Sequence, residues 1–343
     1  MEFDALFPVP VIQGPMAGGA CTPELVAAVS NAGGLGALPG SLLAPQVIEE
    51  QVARIRSLTS RPFLLNFFIQ GTPAPSEDQL AQAGEFLRPI WESLGWSELP
   101  RPKKWCEDFA AQFETLLALR PAVASFTFGI LGSEQVERLH AADILVIGTV
   151  TTVEEALAWQ AIGADAVVAS GVEAGGHRGT FIGRQEDATL TASALWPQVV
   201  QAVRIPVIAA GGIMDGADIR RALALGARAV QMGSAFLVTD ESGIHPAYKA
   251  RLLAGADQTR LTRSFSGRYA RGIENRFMRQ MAQVERQVPP YPVQNALTGS
   301  IRAAAAASGD TELMSLWAGT GYARARPMPA ARLVELLAFE LQS

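Results

Sequence analysis

His177 is the residue of this chain whose type and setting most clearly indicate chemistry. It lies in the stretch ASGVEAGGHRG, residues 169–179, and is one of only three histidines among 343 residues. Four glycines flank it: Gly171, Gly175, Gly176 and Gly179. Glycines let the main chain pass close to a flat ligand, and an imidazole held there can remove a proton from carbon or stabilise an anion near neutral pH. We therefore interpret His177 as catalytic rather than structural, while Glu173 orients either this loop or the imidazole, or is a solvated acid.

Two glycine-containing stretches nearer the C-terminus, AAGGI at 209–213 and QMGSAF at 231–236, indicate a phosphate site. Each alone is equally typical of a turn that ends a strand. Together, after the last two predicted strands, they match the usual place of phosphate binding in barrels, where backbone N–H groups approach the ligand closely. The residues expected there are Gly211, Gly212, Gly233 and Ser234. No lysine follows the glycines in a Walker pattern, which excludes a nucleoside triphosphate loop.

The phosphate-bearing cofactors that suit such a site are FMN and pyridoxal phosphate. Pyridoxal phosphate requires a Schiff-base lysine at a strand end, and the predicted strands contain no lysine. FMN therefore fits better. Its apolar ring suits Met16, Ala17 and Phe67 near the strand ends, and Asn66 could form a hydrogen bond with the ring edge. Further aromatic residues expected to line the pocket are Phe181, Tyr269 and Tyr322.

The elements that must position these residues are strands and helices in alternation. Eight short, nearly continuous apolar runs are typical of buried parallel strands. They cover residues 11–17, 34–40, 63–69, 122–128, 143–150, 165–171, 206–212 and 228–234. Amphipathic segments with capping residues lie between most of them. This alternation predicts a (β/α)8 TIM barrel, whose active site forms at the carboxyl ends of the strands. An open doubly wound sheet usually has fewer strands and a Gly-x-Gly-x-x-Gly motif after the first, where this chain has GPMAGG.

Composition divides the chain into three parts. Residues 1–240 are predicted to form the barrel, with a Pro- and Trp-rich excursion at about 72–104. Residues 241–310 change character and predict a smaller, mainly helical second domain that covers the substrate. Residues 311–343 end in an amphipathic helix that we expect to pack back on the barrel.

Overall charge and composition exclude several classes of function. The net charge is −5, so no basic surface favours nucleic acid. No apolar stretch approaches the ~18 residues that a membrane span needs, and the N-terminus lacks a signal-peptide pattern. Cys21 and Cys106 are the only cysteines, which favours free thiols in a reducing compartment, so we expect a cytoplasmic protein. The three histidines lie far apart in sequence, and we expect no metal site.

Several of these motifs, taken together, are familiar. QGPMAGG, LNFF, VEAGGHRG, AAGGI, QMGSAFL and LWAGTGY occur in this order between residues 13 and 322. In combination they resemble the nitronate monooxygenases, formerly called 2-nitropropane dioxygenases, over about residues 10–325. The same framework is seen in FMN-dependent enoyl-acyl-carrier-protein reductases and in a group of NADH:quinone reductases. The resemblance is therefore more specific for the flavoprotein superfamily than for the reaction.

The resemblance implies an FMN-binding barrel that oxidises alkyl nitronates with O2 to a carbonyl compound and nitrite. It implies that His177 is catalytic and acts as a base on the α-carbon when the substrate is a neutral nitroalkane. The positions that match the family's FMN-binding residues are Asn66, Gly175, Gly212, Gly233 and the stretch 231–234. One departure is Ser170, where many members have Gln. A serine is shorter, so its contact with the flavin and its effect on substrate class stay open.

Two alternative functions follow from the same residues. One is an FMN-dependent NAD(P)H reductase of a quinone or an enoyl thioester, and the other is a non-catalytic FMN-binding protein. The arginines of SFSGRYARGIENR, residues 264–276, serve either a substrate anion or an NAD(P)H phosphate, or they hold the second domain to the barrel, which we favour. The expected partners are a small nitronate or nitroalkane and O2. The sequence leaves the oligomeric state open, a homodimer included.

Overall fold

Eight parallel strands form the centre of the computed structural model, which describes Phe3 and residues 6–342. The strands of the chain are numbered in order, and β7 (Gly176–His177) lies outside this sheet. The eight barrel strands are β1 (Val11–Gln13), β2 (Gly36–Pro39), β3 (Phe63–Phe68), β4 (Val123–Thr127), β5 (Leu145–Val150), β6 (Ala166–Ser170), β8 (Val207–Ala210) and β9 (Ala229–Met232). Their order in the sheet is β1-β9-β8-β6-β5-β4-β3-β2. A parallel bridge between Ile12 and Leu35 joins the two edges. The predicted (β/α)8 barrel is confirmed, and each predicted apolar run contains one of its strands.

Helices surround the barrel and extend beyond it. They are α1 (Pro23–Asn31), α2 (Pro45–Leu58), α3 (Glu77–Ser93), α4 (Phe109–Leu119), α5 (Ser133–Ala141), α6 (Val153–Ala161), α7 (Ala192–Ala202), α8 (Gly216–Ala224), α9 (Pro246–Ala254), α10 (Arg276–Met281), α11 (Val293–Leu297), α12 (Gly299–Ser308) and α13 (Ala330–Gln342). Side chains at N-caps fix several starts, as Thr22 does by accepting the N–H of Leu25. The C-terminal helix α13 packs against α1 and α8. No helix in the described part of the chain is long and apolar enough to span a membrane.

Alternation along the strands separates the barrel interior from the layer beneath the helices. Ile12, Leu64, Val168 and Ile208 are almost fully buried in one apolar cluster, which Phe3, Leu6 and Phe7 complete. The intervening residues of the same strands belong to the larger cluster that includes the helices. Because successive side chains of a strand point to opposite faces, the first cluster is the barrel interior. Each such aliphatic side chain stabilises the fold by about 1.5–3 kcal/mol.

The chain after the barrel forms a second apolar cluster. Phe265 and Phe277 stack at a centroid distance of 4.0 Å within it. Leu87 and Ile90 of α3 belong to the same cluster, so the excursion between β3 and β4 packs against the later part of the chain. This part also contains a hairpin that the sequence pattern did not predict: β10 (Thr259–Thr262) pairs with β11 (Ala270–Ile273) in antiparallel fashion. A short strand, β7 (Gly176–His177), adds to β11 and makes a sheet of three strands.

Candidate active site

The loop after β6 is held by the hairpin and not by the barrel alone. In the β7–β11 pairing, His177 lies opposite Ala270 and Gly176 lies opposite Arg271. Gly176 has φ +76°, and a Cβ built on it meets nothing within 4 Å. Gly175 differs, because its Cβ would come within 2.5 Å of the backbone nitrogen of Gly319. The glycines before His177 therefore serve two purposes: one permits a left-handed turn beside open space, and the other permits close backbone packing.

Four aromatic rings surround the imidazole of His177. Its ring centroid lies 5.4 Å from that of Trp317, 5.6 Å from those of Phe128 and Tyr291, and 6.4 Å from that of Phe68. Phe128 has φ +79°, an unusual conformation for a bulky residue. The ring of Phe128 stacks on that of Phe68, and their centroids are 4.1 Å apart. The imidazole is half-buried among these apolar rings.

Burial and neighbouring cations keep His177 neutral. The pKa of His177 is lowered to about 3, mainly by burial and in addition by the charges of Arg268 and Arg302. Its Nε2 lies 2.9 Å from the Oγ of Ser266, within hydrogen-bond distance. No described residue contacts Nδ1 through a hydrogen bond. At neutral pH the imidazole is thus an uncharged group with a free lone pair, which a general base requires.

Arg268 and Arg302 bring positive charge close to His177. Arg268 donates from Nε to the carbonyl oxygen of Arg178 at 2.9 Å and from Nη2 to that of Thr180, and its Cζ lies 4.0 Å from the ring centroid of Phe128. Arg302 donates to the Thr298 hydroxyl and to Asn295. Burial lowers the pKa of both arginines to about 10, so both remain charged at neutral pH.

These two arginines form no salt bridge, although the charge of Glu155 acts on Arg268 from a distance. Among the described residues, no acidic side chain lies within salt-bridge distance of Arg268 or Arg302, and the Nη1 of each has no protein acceptor. Partly buried cations that form no salt bridge favour an anionic partner, and guanidinium groups bind carboxylate oxygens through charge-assisted hydrogen bonds. The arrangement around His177 therefore favours a small anion.

Two buried charged residues hold the loop that carries His177. Glu155 on α6 accepts hydrogen bonds from the backbone of Phe181 and Ile182, and from Thr151. Arg178 is 1% exposed and donates to the carbonyl oxygens at 170, 171 and 188. The chain immediately after His177 is thus fixed from both sides. Glu173 accepts the N–H of Ala192 at 2.8 Å, so it orients the loop and not the imidazole.

The proposed phosphate loops lie side by side at the carboxyl ends of β8 and β9. Gly211 and Gly212 have φ +120° and +73°, so glycine is required at both. Gly233 has no such constraint, and a Cβ built on it meets only Met16, at 3.7 Å. In the described part of the chain, the backbone N–H groups of Gly212, Gly233 and Ser234 have no protein acceptor. Ser234 also accepts the N–H of Gly319 at 2.9 Å, which leaves its own proton free to donate.

The inward face of the barrel mouth is polar. Asn66 donates from Nδ2 to the Ser125 hydroxyl at 2.9 Å and approaches Thr127, whose hydroxyl lies 3.2 Å from that of Thr149. Ser170 ends β6 with the same inward orientation. Met16 and Ala17 follow β1 and are partly exposed. Gln231 is partly exposed at the end of β9, whereas Met232 is 1% exposed in the cluster beneath the helices, so only its backbone can reach a ligand.

Three of the predicted pocket residues lie elsewhere. Phe67 is fully buried beneath the helices, in contact with Gly40, so Phe68 and not Phe67 faces the cavity. Phe181 packs edge-on against Trp159. Tyr322 is 3% exposed, and its hydroxyl bonds the backbone of Asp257. Tyr269 does line a cavity of about 240 Å³, together with Tyr291, Arg263 and Arg268.

The residues at the barrel mouth fit FMN. Free backbone N–H groups beside Gly233, where a Cβ would enter open space, form a cradle suited to a phosphate. The polar row that includes Asn66 lies at the same end of the barrel, where a ring edge with donors and acceptors finds partners.

Comparison with known proteins agrees with this geometry. The model of the nitronate monooxygenase family matches residues 3–340. The chain belongs to the nitronate monooxygenase family. A probable nitronate monooxygenase of Staphylococcus haemolyticus (strain JCSC1435) is 42% identical over 313 residues, covering 90% of this chain and 87% of that protein. A probable nitronate monooxygenase of Staphylococcus aureus (strain Newman) is 41% identical over 323 residues, covering 94% and 91%.

Solved structures give the same assignment. Nitroalkane oxidase from Streptomyces ansochromogenes superposes with a TM-score of 0.92 at 44% identity, covering 99% of this chain and 97% of that one. FabK from Thermotoga maritima superposes less well, with a TM-score of 0.75 at 29% identity and coverages of 99% and 95%. This nitronate monooxygenase family member is therefore an oxidoreductase enzyme, and the predicted family is confirmed.

Sequence reasoning missed several residues of this nitronate monooxygenase family site. They are Phe68, Phe128, Glu155, Ser266, Tyr291, Arg302 and Trp317. A signal existed for Trp317, which lies in the LWAGTGY motif, and for Arg268, which lies in the arginine-rich stretch. Arg268 and Arg271 both donate to carbonyl oxygens of the His177 loop, so these arginines do hold the second part of the chain to the barrel.

Proposed function

We propose that this enzyme binds FMN and oxidises alkyl nitronates with O2 to carbonyl compounds and nitrite, and that it also accepts nitroalkanes. Two nitronates and one O2 then give two carbonyl compounds and two nitrites, which balances atoms and charge. The observation that supports this most strongly is the neutral His177 beside two arginines without carboxylate partners. Such a cavity favours a small organic anion, and a nitronate is one.

FMN would be held by the two phosphate loops and the inner barrel mouth. Gly211, Gly212, Gly233 and Ser234 would surround the phosphate, while Asn66 would meet the ring edge. Bound FMN supplies the redox chemistry that connects the substrate with O2. Met16, Ala17, Ser170, Gly175 and Gln231 are the further residues that we assign to cofactor contact, and Met232 would contribute only its backbone.

The protein's own residues account for substrate binding and proton transfer. Arg268 and Arg302 attract the nitronate and stabilise its negative charge. For a neutral nitroalkane, the same charges favour loss of the α-proton, which His177 accepts. The resulting imidazolium is then balanced by the nitronate beside it. Phe68, Phe128, Tyr291 and Trp317 exclude water and so strengthen each of these electrostatic interactions.

The similarity to FabK supports a second candidate, an FMN-dependent NAD(P)H reductase of a quinone or an enoyl thioester. The cavity beside Tyr269 carries Arg263 and Arg268, which would suit a nucleotide phosphate. The higher structural similarity to nitroalkane oxidase favours the nitronate substrate.

An anaerobic experiment separates the two candidates. The purified flavoprotein is mixed without O2 with ethylnitronate, NADH or NADPH, and the absorbance of oxidised flavin is followed. We expect the nitronate to reduce the flavin and both nicotinamides to leave it oxidised, with nitrite formed once air is admitted. Rapid bleaching by NADH or NADPH without any response to the nitronate would contradict the proposal and support the reductase. Retention of flavin with no response to any donor would indicate a non-catalytic FMN-binding protein.

A further inference from the structure

The hydroxyl of Ser266 is the single hydrogen-bond partner of the His177 ring among the described residues. Its Oγ lies 2.9 Å from His177 Nε2 and 3.0 Å from the carbonyl oxygen of Arg268. The N–H of Arg268 also approaches this Oγ, at 3.4 Å. Ser266 is 0% exposed, so the arrangement is closed to solvent on the side of the serine.

A count of protons decides which ring nitrogen of His177 carries hydrogen. A serine hydroxyl has one proton to donate and two lone pairs with which to accept. The Arg268 carbonyl can only accept, and no other described group donates to it. If Ser266 donates its proton to this carbonyl oxygen, then its lone pairs accept hydrogen bonds from N–H groups, including the Nε2–H of His177. The Ser266 hydroxyl, the Arg268 carbonyl oxygen and His177 Nε2 then each have a partner.

The opposite tautomer leaves a group unsatisfied. With hydrogen on Nδ1, both His177 Nε2 and the Arg268 carbonyl would require the one proton of Ser266. One buried acceptor would then lose its partner, which proteins generally avoid. In the first arrangement, neither acceptor loses its partner. Nδ1 is the ring nitrogen without a protein partner, and the imidazole is only half-buried.

We infer that Ser266 is a positioning residue that fixes His177 as its Nε2–H tautomer and makes Nδ1 the nitrogen that accepts the substrate proton. The role of Nδ1 in catalysis rests on the proposed function, whereas the tautomer does not. Ser266 acts from the turn between β10 and β11. The hairpin of β10 and β11 thereby sets the orientation of His177, which the loop after β6 supplies.

The tautomer can be measured directly. The chain has three histidines, so protein labelled with 15N-histidine gives few imidazole signals, and His177→Asn identifies those of residue 177. At pH 7 we expect a protonated Nε2 and an unprotonated Nδ1 in the FMN-loaded protein. Ser266→Ala should broaden or move these signals, whereas Ser264→Ala, a buried serine that bonds Thr262 and not His177, should leave them in place. A protonated Nδ1 in the wild type would overturn the inference.

Kinetics give a second readout that misfolding would not mimic. In Ser266→Ala we expect kcat/KM for a neutral nitroalkane to fall on the order of tenfold, well short of the 10²–10⁴-fold that loss of a general base costs. Turnover of a preformed nitronate should stay within about twofold, since the anion needs no base. Ser266→Thr retains the hydroxyl and should restore nitroalkane turnover. Equal losses on both substrates, or no rescue by threonine, would contradict the positioning role.

These results remain distinguishable from failure of the proposed function. If His177→Asn keeps full nitroalkane turnover, then His177 is not the base and the proposed function is wrong in that respect. The NMR spectrum would still report the tautomer in that case. If instead His177→Asn is inactive and the wild-type spectrum shows Nδ1–H, then the base is correct and the role of Ser266 is wrong.

Discussion

The backbones of Gly175 and Gly319 pack so closely that neither position has room for a side chain. A Cβ on Gly175 would lie 2.5 Å from the Gly319 nitrogen, and a Cβ on Gly319 would lie 2.7 Å from the carbonyl oxygen of Glu173. Thr320 N–H also donates to this carbonyl, at 3.0 Å. The loop that carries His177 and the segment that carries Trp317 are therefore joined through their main chains.

Gly319→Ala tests this junction. Backbone atoms cannot move aside as a flexible side chain can, so we expect a loss of about 1–3 kcal/mol in the free energy of unfolding, typical of overpacking. Urea denaturation of the flavin-loaded protein measures it. Gly84→Ala on the surface of α3 is the matched control, because its Cβ meets nothing within 4 Å and alanine favours a helix. Equal stability of Gly319→Ala and wild type would show that the two segments are not held as described.

Gly233→Ala tests the phosphate loop without straining the protein. Its φ is −98°, and the added Cβ meets no protein atom closer than 3.7 Å, so the fold should be retained. If the phosphate occupies this space, we expect FMN affinity to fall by about tenfold or more, which corresponds to roughly 1.4 kcal/mol. Fluorescence titration of the apoprotein with FMN measures it. Gly212 is a poorer site for this test, because its positive φ makes any substitution unfavourable. Unchanged affinity in Gly233→Ala would place the phosphate elsewhere.

Arg302→Gln removes one cation from the cavity. Hydrogen bonds to charged groups contribute about 1.5–3 kcal/mol, so we expect KM for a nitronate to rise by about 10- to 100-fold. Arg302→Lys should show a smaller rise, since it keeps the charge and loses the planar donor pair. Arg138→Gln is the control, because Arg138 bonds Glu114 at the exposed helical surface. A nitronate KM unchanged in Arg302→Gln would remove this residue from anion binding.

Stability towards acid should depend on His177. Its folded pKa of about 3 lies below the ordinary value near 6.5, so between these pH values the unfolded chain binds a proton that the folded protein does not. Folding stability from this group is therefore complete above pH 6.5 and is lost as the pH falls towards 3, by at most about 1.4 kcal/mol per pH unit. Urea unfolding at pH 7 and pH 5 should show a smaller loss in His177→Asn than in wild type. Identical losses would mean that His177 is not held neutral.

The barrel was predictable because its signals are local. Each apolar run such as FLLNFF is short and bounded by turn residues, and helices with capping residues follow at the expected spacing. The glycine-rich loop and the two phosphate motifs could also be found, because a backbone that approaches a ligand leaves glycines in the sequence. The assignment of Phe67 failed for a physical reason. A strand buried on both faces shows no alternation, so its sequence does not indicate which of Phe67 and Phe68 points inward.

The remainder of the site depends on contacts between distant parts of the chain. Ser266 lies 89 positions after His177, and their pairing through β11 and β7 has no local pattern. A two-residue strand such as Gly176–His177 cannot be distinguished from a loop by sequence. Arg302 precedes an alanine-rich helical run that could equally be surface. Only the fold shows that its guanidinium faces the imidazole without a carboxylate partner.

The central claim is that His177 accepts a proton from a neutral nitroalkane, and His177→Asn tests it most directly. Steady-state nitrite release is measured with nitroethane and with preformed ethylnitronate, using His140→Asn on the exposed face of α5 as the control. We expect His177→Asn to retain its flavin, to lose nitroalkane kcat/KM by about 10²–10⁴-fold, and to oxidise ethylnitronate with a much smaller loss. Nitroalkane turnover equal to that of His140→Asn and wild type would contradict the account.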